Sequence, residues 1–353
     1  MKLERKTAIY VFLFALGSAW IAFDLLVWGY GESPRHVAWT LFEGTWGSAY
    51  GIGQVFYKAT PLLFTGAAID LALRGGLFNI GAEGQVAIAS FAVGAIGAIL
   101  PPSISSFVAV PLLILVAIVA AALWGTIPAI LRGRFGAHEV ISTIMMNRIA
   151  SLLIGLLLGY GIALPGTVRT GEIVEAGKIA RLGAIVPAFH GSAVSFALFI
   201  ALAFAIVIPW TMRHTRVGRE IVLVGQNRLA CVAEKIPVAR RFEQAIIVSA
   251  AVCGLAACAT VMGYKGYYEE GLGAGVGFGG IAVALLGRGS AVGLIASAIL
   301  FGTLQQGGLA INAYVPMEMI DVLQGVVIVA VAFSNIRVRE ALIASLARKR
   351  SAA

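Results

Sequence analysis

Residues 73–85 have the sequence Leu-Arg-Gly-Gly-Leu-Phe-Asn-Ile-Gly-Ala-Glu-Gly-Gln, and this polar stretch opens an apolar run that continues to Leu100. It contains an arginine, an asparagine, a glutamate, a glutamine and four glycines. Placing a charged side chain in the hydrocarbon core of a membrane costs roughly 2.5–3.5 kcal/mol even on lenient insertion scales. A lipid-facing helix is therefore not expected to carry Glu83, and the stretch predicts a polar path through a membrane.

The composition of the whole chain indicates the same setting. Of 353 residues, 59% are apolar and 12% are charged, and this charged share is about half that of a typical soluble domain. Several apolar runs exceed the ~20 residues that a spanning helix needs. No Gly-Ser-rich or Pro-rich linker interrupts them. We therefore expect an all-α integral membrane protein with one membrane-spanning domain over residues 1–353.

The apolar runs predict about ten spans. The first is too long for the apolar core of a signal peptide and lacks a small-residue cleavage site after it. The eighth and ninth, on either side of Arg288, are short enough to be re-entrant or broken helices. The predicted spans cover residues 7–29, 56–73, 76–100, 107–131, 139–160, 192–212, 243–263, 274–287, 290–306 and 318–335.

Basic residues cluster at the ends of the spans and predict the orientation. The connection 213–241 has seven arginines and lysines against two glutamates, whereas the connection 162–190 has three against two. The positive-inside rule then places both termini and the 213–241 loop in the cytoplasm, and the 31–54 and 162–190 loops outside. The same rule accounts for the net charge of +9, so nucleic-acid binding is not expected.

Two glycine-flanked arginines indicate an internal repeat. Arg74-Gly-Gly76 separates the second and third spans, and Gly287-Arg-Gly289 separates the eighth and ninth. In a ten-span count, helices 2–5 and 7–10 begin on opposite sides of the membrane. This is the pattern of an inverted repeat, for which substrate sites lie near the repeat interface.

The polar residues of the opening stretch have two interpretations. A helix starting at Arg74 places Glu83 roughly 13 Å from that end, near the middle of a ~30 Å core. There Asn79, Glu83 and Gln85 either line a path or hydrogen-bond neighbouring helices and hold them together. The residues alone do not separate these roles. Asp24 and Asp70 lie near span ends and are expected at the membrane interface.

The cytoplasmic stretch 215–238 is amphipathic, basic and interrupted by Gly225 and Pro237. Asn227 is a candidate N-cap for a short helix over 228–235. The small residues Ala230 and Ala233 would let this helix enter a groove on a partner. A helix resting on the lipid surface is the alternative.

Four segments in the same order resemble one family. Residues 75–85 resemble the signature of permease subunits of bacterial ABC importers for nucleosides and simple sugars. Gly136–Asn147, the 225–237 loop and Ile281–Arg288 resemble three further segments of these permeases. Two residues depart from the family pattern, because Cys231 and Lys235 stand where alanine and glycine are usual.

The resemblance implies a membrane subunit that does not itself bind and hydrolyse ATP. In agreement, the chain has no Gly-x-x-x-x-Gly-Lys-[Ser/Thr] motif, the P-loop that binds nucleotide phosphates. The implied partners are a cytoplasmic ATP-binding subunit, an extracytoplasmic substrate-binding protein and a second, non-identical permease. ATP and Mg belong to the ATPase, and this chain is expected to bind no cofactor. The implied ATPase-coupling residues are Gly225, Asn227, Ala230, Ala233, Ile236 and Pro237.

Nucleosides are the first expected substrates and simple sugars the second. The predicted substrate path is lined by Asn79, Glu83, Gln85, Asn147, Tyr264 and Phe278. Tyr264, Tyr267 and Tyr268 would stack on a base at the outer mouth or, alternatively, belong to an interfacial aromatic belt.

Two other classes of function compete with the importer. An ion-coupled secondary transporter would use Asp24, Asp70 or Glu83 as coupling carboxylates. A membrane enzyme is disfavoured because the four histidines are scattered and the three cysteines form no metal-binding pattern. No catalytic or metal-binding residue is expected.

Overall fold

The computed structural model describes residues 17–287 and 289–330. The regular structure of these residues is helical, and three isolated β-bridges in connecting segments are the exception. This confirms the all-α fold class. The start of the first predicted span, Arg288, the end of the tenth span and the basic C-terminal tail lie outside the described residues.

Thirteen helices follow one another in the described part of the chain. Two π-helical segments lie between them. Leu158–Ile162 directly follows the sixth helix, and Cys258–Lys265 begins shortly after the end of the tenth. The helices are α1 (Gly17–Gly29), α2 (Pro34–Thr45), α3 (Ala49–Arg74), α4 (Ala82–Ile99), α5 (Ser106–Phe135), α6 (Glu139–Leu157), α7 (Ala197–His214), α8 (Arg216–Gln226), α9 (Arg228–Ala233), α10 (Val238–Gly254), α11 (Val276–Gly287), α12 (Ala291–Ile311) and α13 (318–330).

Six of the described helical segments are long and apolar enough to cross a membrane. They comprise α4, α5, α7, α12 and the helices α6 and α10 with their π-helical extensions. The chain is therefore a multi-pass membrane protein. The total of ten spans stays a prediction.

The helices differ from the predicted spans at informative places. The third span was expected from residue 76, but α4 begins at Ala82. The predicted outer loop 31–54 contains α2 and the first turn of α3. The 162–190 connection contains three short 3₁₀ turns and residues of all three isolated β-bridges.

The described residues form two compact units. The first comprises residues 17–48 and 303–330. In its core Phe23 and Val27 of α1 pack with Val37 of α2 and with Leu323 of α13. The His36 and Tyr314 rings meet edge to face within the same unit, with centroids 5.2 Å apart.

The second unit spans residues 49–302 and contains the polar residues singled out above. Its central helix is α3, which is buried over most of its length and contacts α7, α10 and α11. Small residues bring α5 and α10 close together, since a Cβ on Gly125 would lie 2.3 Å from the Cβ of Ala250. Such close backbone approach is typical of helix packing in membranes. The prediction of a single domain remains untested.

Candidate functional site

A glycine turn ends α3 and separates it from α4. The amides of Gly76 and Leu77 donate to the carbonyls of Leu73 and Ala72, both at 3.0 Å. Gly76 has a φ of 71°, so the helix ends in a Schellman motif with glycine in the left-handed conformation. The prediction that the next helix starts at Arg74 is therefore wrong, and residues 75–81 form a non-helical link.

Asn79 and Gln85 brace this link from inside. The Asn79 Nδ2 donates to Gln85 Oε1 at 3.0 Å and to Ser249 Oγ of α10 at 2.9 Å. The Gln85 Nε2 donates back to Asn79 Oδ1 at 3.2 Å. The Ser249 hydroxyl donates to the carbonyl of Ala68 in α3 at 2.7 Å. Asn79 and Gln85 are each 1% exposed, so these amides join α3, α4 and α10.

Asn147 of α6 holds the link from the other side. Its Oδ1 accepts the amide of Gly84 at 2.9 Å, and its Nδ2 donates to the carbonyl of Ile80 at 3.0 Å. One buried amide side chain thus satisfies backbone groups at both sides of the start of α4.

Glu83 connects the start of α4 to the start of α11. Its Oε1 accepts the amide of Gly275 at 2.6 Å, and its Oε2 accepts the amide of Gly277 at 2.8 Å. A carboxylate at this place satisfies free amides at the N-terminus of α11 and interacts favourably with the helix dipole. Gly277 is closely packed here, because a Cβ on it would lie 2.3 Å from the Glu83 nitrogen.

The contact between Thr65 and α11 gives the depth of Glu83. The Thr65 hydroxyl donates to the carbonyl of Val276 at 3.1 Å. Thr65 lies nine residues before Arg74, which corresponds to about 14 Å along a helix. Glu83 therefore remains near mid-depth, although the link 75–81 replaces the expected helical turns.

The helices α4 and α11 run in opposite directions. The Arg74 guanidinium donates to the carbonyl of Gly289, just beyond the end of α11. Hence α11 runs towards the Arg74 end of the unit, whereas α4 runs away from it. Each begins after a non-helical segment that contains glycines. An inverted repeat requires this relation, and the repeat as a whole stays a prediction.

A cavity of about 370 Å³ lies beside Glu83, and we call it the α4–α6 cavity. It joins three of the six predicted path residues, namely Glu83, Asn147 and Phe278. Its lining consists of Glu83, Gly84 and Ala87 of α4; Ile144, Asn147, Arg148, Ser151 and Ile154 of α6; Tyr268 and residues 270–274; and Phe278 of α11.

The other three predicted path residues lie elsewhere. Asn79 and Gln85 are buried and line neither described cavity. Tyr264 lines a second cavity of about 420 Å³ with Lys178, Arg181 and Lys265. Its ring centroid is 4.8 Å from that of Tyr57, and its carbonyl accepts a hydrogen bond from Arg181 at 2.8 Å.

Three residues that line the cavity are not among the predicted path residues: Arg148, Ser151 and Glu270. Arg148 could have been found, because it is an arginine near the centre of the predicted span 139–160. Ser151 shares its helix face at a spacing of three residues. Glu270 carried no such signal, since only the fold brings the 268–278 segment against α4 and α6.

The predicted helix at the amphipathic loop is present. The Asn227 Oδ1 accepts the amide of Ala230 at 3.0 Å, which confirms Asn227 as the N-cap of α9. The helix ends at Ala233, two residues before the predicted end. Ala230 and Ala233 are exposed beside Leu229 and Val232, which are 85% and 63% exposed. This short helix thus presents an apolar face that no described residue covers.

The helix α8 packs directly on the glycine link. A Cβ on Gly225 would lie 2.2 Å from the Arg74 carbonyl oxygen and 2.7 Å from the Gly76 nitrogen. One turn after the start of α8, Glu220 accepts hydrogen bonds from Arg216 at 2.8 Å and from Arg241 at 2.7 Å. These bonds hold the pKa of Glu220 below its ordinary value, so the carboxylate stays ionised and ties α8 to α10.

Ile236 and Pro237 follow α9 and lead into α10. The Ile236 amide donates to the carbonyl of Cys231 at 2.9 Å, and Pro237 is the N-cap residue of α10. The six predicted coupling residues thus lie along the end of α8, α9 and the turn after it. Among the described residues, no group of three histidine, cysteine or acidic side chains is placed to hold a metal ion.

Comparison with known proteins gives consistent matches over most of the chain. Residues 51–332 match the family of branched-chain amino acid transport system permease components. The guanosine ABC transporter permease protein NupP of Bacillus subtilis is 34% identical over 322 residues, covering 90% of this chain and 91% of the relative. The nucleoside ABC transporter permease protein NupB of Lactococcus lactis is 31% identical over 312 residues, covering 87% and 83%.

A relative with another substrate is also similar. The glucose ABC transporter permease protein TsgB13 of Haloferax volcanii is 31% identical over 300 residues, covering 82% of this chain and 77% of the relative. No solved structure matches this chain.

Proposed function

Because this chain belongs to the family of branched-chain amino acid transport system permease components, we propose that it is a membrane-spanning subunit of an ATP-driven nucleoside importer. The observation that carries this proposal is the similarity to two nucleoside permeases, NupP and NupB, over 90% and 87% of the chain. Its role is transport rather than catalysis. The importer lies in the cytoplasmic membrane, with both termini and the α8–α9 segment on the cytoplasmic side.

The importer needs three further proteins. A cytoplasmic ATP-binding subunit, which holds ATP and Mg, docks on the exposed face of α9. A substrate-binding protein delivers the solute to the outer face over the 31–54 and 162–190 segments. A second, non-identical permease completes the path. Lactococcus lactis has two nucleoside permease proteins that resemble this chain unequally, NupB at 31% and NupC at 24% identity, which supports a heterodimer.

Movement of the ATPase reaches the membrane core through α8. The ATPase pushes or releases α9, and α8 transmits the displacement to Arg74, Gly75 and Gly76, against which Gly225 packs. The link 75–81 then repositions the start of α4 and, through Glu83, the start of α11. Asn79 and Gln85 serve this movement as structural residues, whereas Glu83, Asn147 and Phe278 border the path. Alternating access results from these shifts of broken helices.

The test is uptake of radiolabelled nucleosides into proteoliposomes that contain this chain with its co-purified partners. Uptake that needs ATP on the ATPase side and a soluble binding protein supports the proposal. ATP-dependent uptake of glucose in place of nucleosides assigns the chain to sugar import, which the similarity to TsgB13 keeps open. Uptake driven by an ion gradient and indifferent to ATP rejects the importer in favour of a secondary transporter.

The docking role of α9 is tested by the substitutions Ala230→Trp and Ala233→Trp. Both alanines are exposed, so the larger ring leaves the fold intact but obstructs the ATPase. We expect ATP hydrolysis to lose its dependence on the binding protein while uptake falls. Ala239→Trp, at an exposed position of α10, is the matched control. Normal coupling in both α9 variants excludes the docking role.

A further inference from the structure

The α4–α6 cavity lies near the middle of the membrane-spanning unit. Arg148 is nine residues beyond the start of α6, which corresponds to about 14 Å of helix. Its neighbour Asn147 bonds to Gly84 and Ile80, at the same level as Glu83. A hydrocarbon core is ~30 Å thick, so the cavity is about equally far from both surfaces. Its volume of about 370 Å³ falls in the range of small-molecule sites, roughly 300–1,000 Å³.

Arg148 is a charged group at this depth that has no partner within the part of the chain that the structure describes. It is exposed and makes no hydrogen bond or ion pair with any residue in 17–287 or 289–330. Arginines inside membrane spans almost always face the interior of the helix bundle or a water-filled cavity rather than lipid. The α6 residues that line the cavity follow helical spacing, at positions 144, 147, 148, 151 and 154. The face that carries Arg148 is therefore the face turned to the cavity.

The chemistry of the cavity favours a neutral solute with a ring. The carboxylate of Glu83 is occupied by the amides of Gly275 and Gly277. Arg148 and Glu270 remain as opposite charges without a described ion pair. The guanidinium offers only donors and the carboxylate only acceptors. Phe278 is 52% exposed and presents an apolar ring surface. A planar heterocycle with a carbonyl acceptor and with hydroxyl donors satisfies all three groups.

We propose that the α4–α6 cavity is the site where the solute is held within the membrane, with Arg148 donating to a ring carbonyl, Glu270 accepting from hydroxyls and Phe278 contacting the ring. The proposal rests on the nucleoside function proposed above and specifies it. It predicts that 6-oxopurine nucleosides bind better than adenosine, because the 6-amino group of adenosine does not accept a hydrogen bond.

Accessibility of single cysteines tests the site without transport. All three native cysteines are buried, so the background is low. Arg148→Cys and Ser151→Cys line the cavity, whereas Ile149→Cys lies at the same depth on the other face of α6. We expect a charged methanethiosulfonate to label the two cavity variants roughly a hundredfold faster than Ile149→Cys, because charged reagents enter hydrocarbon poorly. Saturating guanosine should protect both. Labelling is measured on this chain by mass spectrometry of the assembled complex in open membranes.

Two results of this experiment overturn the proposal. One is labelling of Ser151→Cys as slow as that of Ile149→Cys, and the other is fast labelling that guanosine leaves unchanged. Ser151→Cys is a near-isosteric change, so the test survives even if Arg148→Cys does not assemble.

Uptake measurements then distinguish the proposed solute site from the proposed function of the chain as a nucleoside importer. In complexes with ATP and saturating binding protein, Arg148→Met should slow guanosine uptake roughly tenfold, the effect of one charge-assisted hydrogen bond, and slow adenosine uptake less. Equal slowing of both nucleosides overturns the role of Arg148 in recognition. If the wild-type complex takes up no nucleoside with ATP, the proposed nucleoside importer is rejected. The site is rejected separately, if guanosine leaves the labelling of the cavity cysteines unchanged.

Discussion

At the scale of single residues, the chain uses polar side chains to hold irregular backbone inside an apolar region. Among the described residues, seven hydrogen bonds join four polar side chains to the backbone, to one another or to Ser249; these side chains are Asn79, Glu83, Gln85 and Asn147. An unpaired backbone group in hydrocarbon costs several kcal/mol. These side chains therefore pair the backbone groups that are left free where α4 and α11 begin inside the apolar region. A continuous helix would pair those groups within its own backbone.

Glu83→Ala tests this role. The variant loses two charge-assisted hydrogen bonds to α11, and bonds to charged groups contribute about 1.5–3 kcal/mol each. After relaxation of the site we expect the protein to be less stable by about 2–4 kcal/mol, with Glu83→Gln affected about half as much because it keeps one acceptor. The measurement is thermal unfolding of the purified complex.

Glu270→Ala is the control for Glu83→Ala, because Glu270 lines the same cavity but its side chain makes no described hydrogen bond. We expect its free energy of unfolding to stay within about 0.5 kcal/mol of that of the wild type, so that its melting temperature hardly changes. Equal melting temperatures for Glu83→Ala and Glu270→Ala would show that Glu83 does not hold α11.

Lys235 occupies a backbone conformation that suits glycine. Its φ of 57° makes it the one non-glycine residue with positive φ among the described residues. This conformation costs an L-residue roughly 1–2 kcal/mol, while glycine costs about 0.5–1 kcal/mol in entropy. Lys235→Gly should therefore stabilise the protein by up to about 1 kcal/mol, measured as a higher melting temperature.

The neighbouring Glu234 provides the comparison for Lys235. Its φ is −81°, so Glu234→Gly adds flexibility without relieving strain and should lower the melting temperature. A Lys235→Gly variant that melts below the wild type would contradict the interpretation. In the family that the chain resembles, glycine is usual at position 235. The left-handed backbone explains this preference, because glycine adopts a positive φ without steric strain.

At the scale of elements, α8 connects the exposed α9 to the glycine link. Glu220 of α8 accepts a hydrogen bond from Arg241 of α10. Near the end of α8, Gly225 packs against the backbone of residues 74–76. The contact of Gly225 with residues 74–76 joins backbone to backbone. We expect it to transmit a displacement of α8 directly, because packed protein is hardly compressible.

Gly225→Ala should loosen this connection. Its Cβ would overlap the Arg74 carbonyl oxygen at 2.2 Å, and such overpacking typically costs about 1–3 kcal/mol. We expect α8 to shift away from the link, so that uptake per ATP hydrolysed falls while ATP hydrolysis continues. Both rates are measured in the same proteoliposomes.

Gly155→Ala is the matched control for Gly225→Ala. Gly155 is also helical, and nothing lies within 4 Å of an added Cβ. Alanine is the better helix former by about 1 kcal/mol, so this variant should be as stable as the wild type or more so, with unchanged coupling. Unchanged coupling in Gly225→Ala as well would exclude the contact as a transmission point.

At the scale of the whole molecule, orientation decides which surfaces the partners reach. The basic 213–241 segment is predicted in the cytoplasm and the 162–190 segment outside. Thr167→Cys and Arg219→Cys are exposed reporters for the two segments. In intact cells a membrane-impermeant thiol reagent should label Thr167→Cys only, and both variants after the cells are opened. The reverse pattern would place the ATPase site on the wrong side and reject the proposed topology.

The sequence alone determined the fold class, most helix positions and the Asn227 cap. Apolar length, charge placement and capping are local properties, so they are visible along the chain. The resemblance to the permease family also rested on local motifs. The start of α4 at Ala82 was missed, because glycines at the start of an apolar run allow the next helix to begin at once or after a non-helical link. Only packing of the glycine pair against α8 and α10 selects the link.

The tertiary structure alone decided what the polar residues do. Asn79, Glu83, Gln85 and Asn147 carry the same hydrogen-bonding groups whether they face a path or brace a neighbour. Their partners come from segments as distant as Ser249 and Gly275, and no local pattern in the sequence records such pairs. The fold also separates Tyr264 from the other path candidates and brings Glu270 beside Arg148 in one cavity. Contacts between distant segments depend on how the helices pack, which is why the site emerged only from the three-dimensional arrangement.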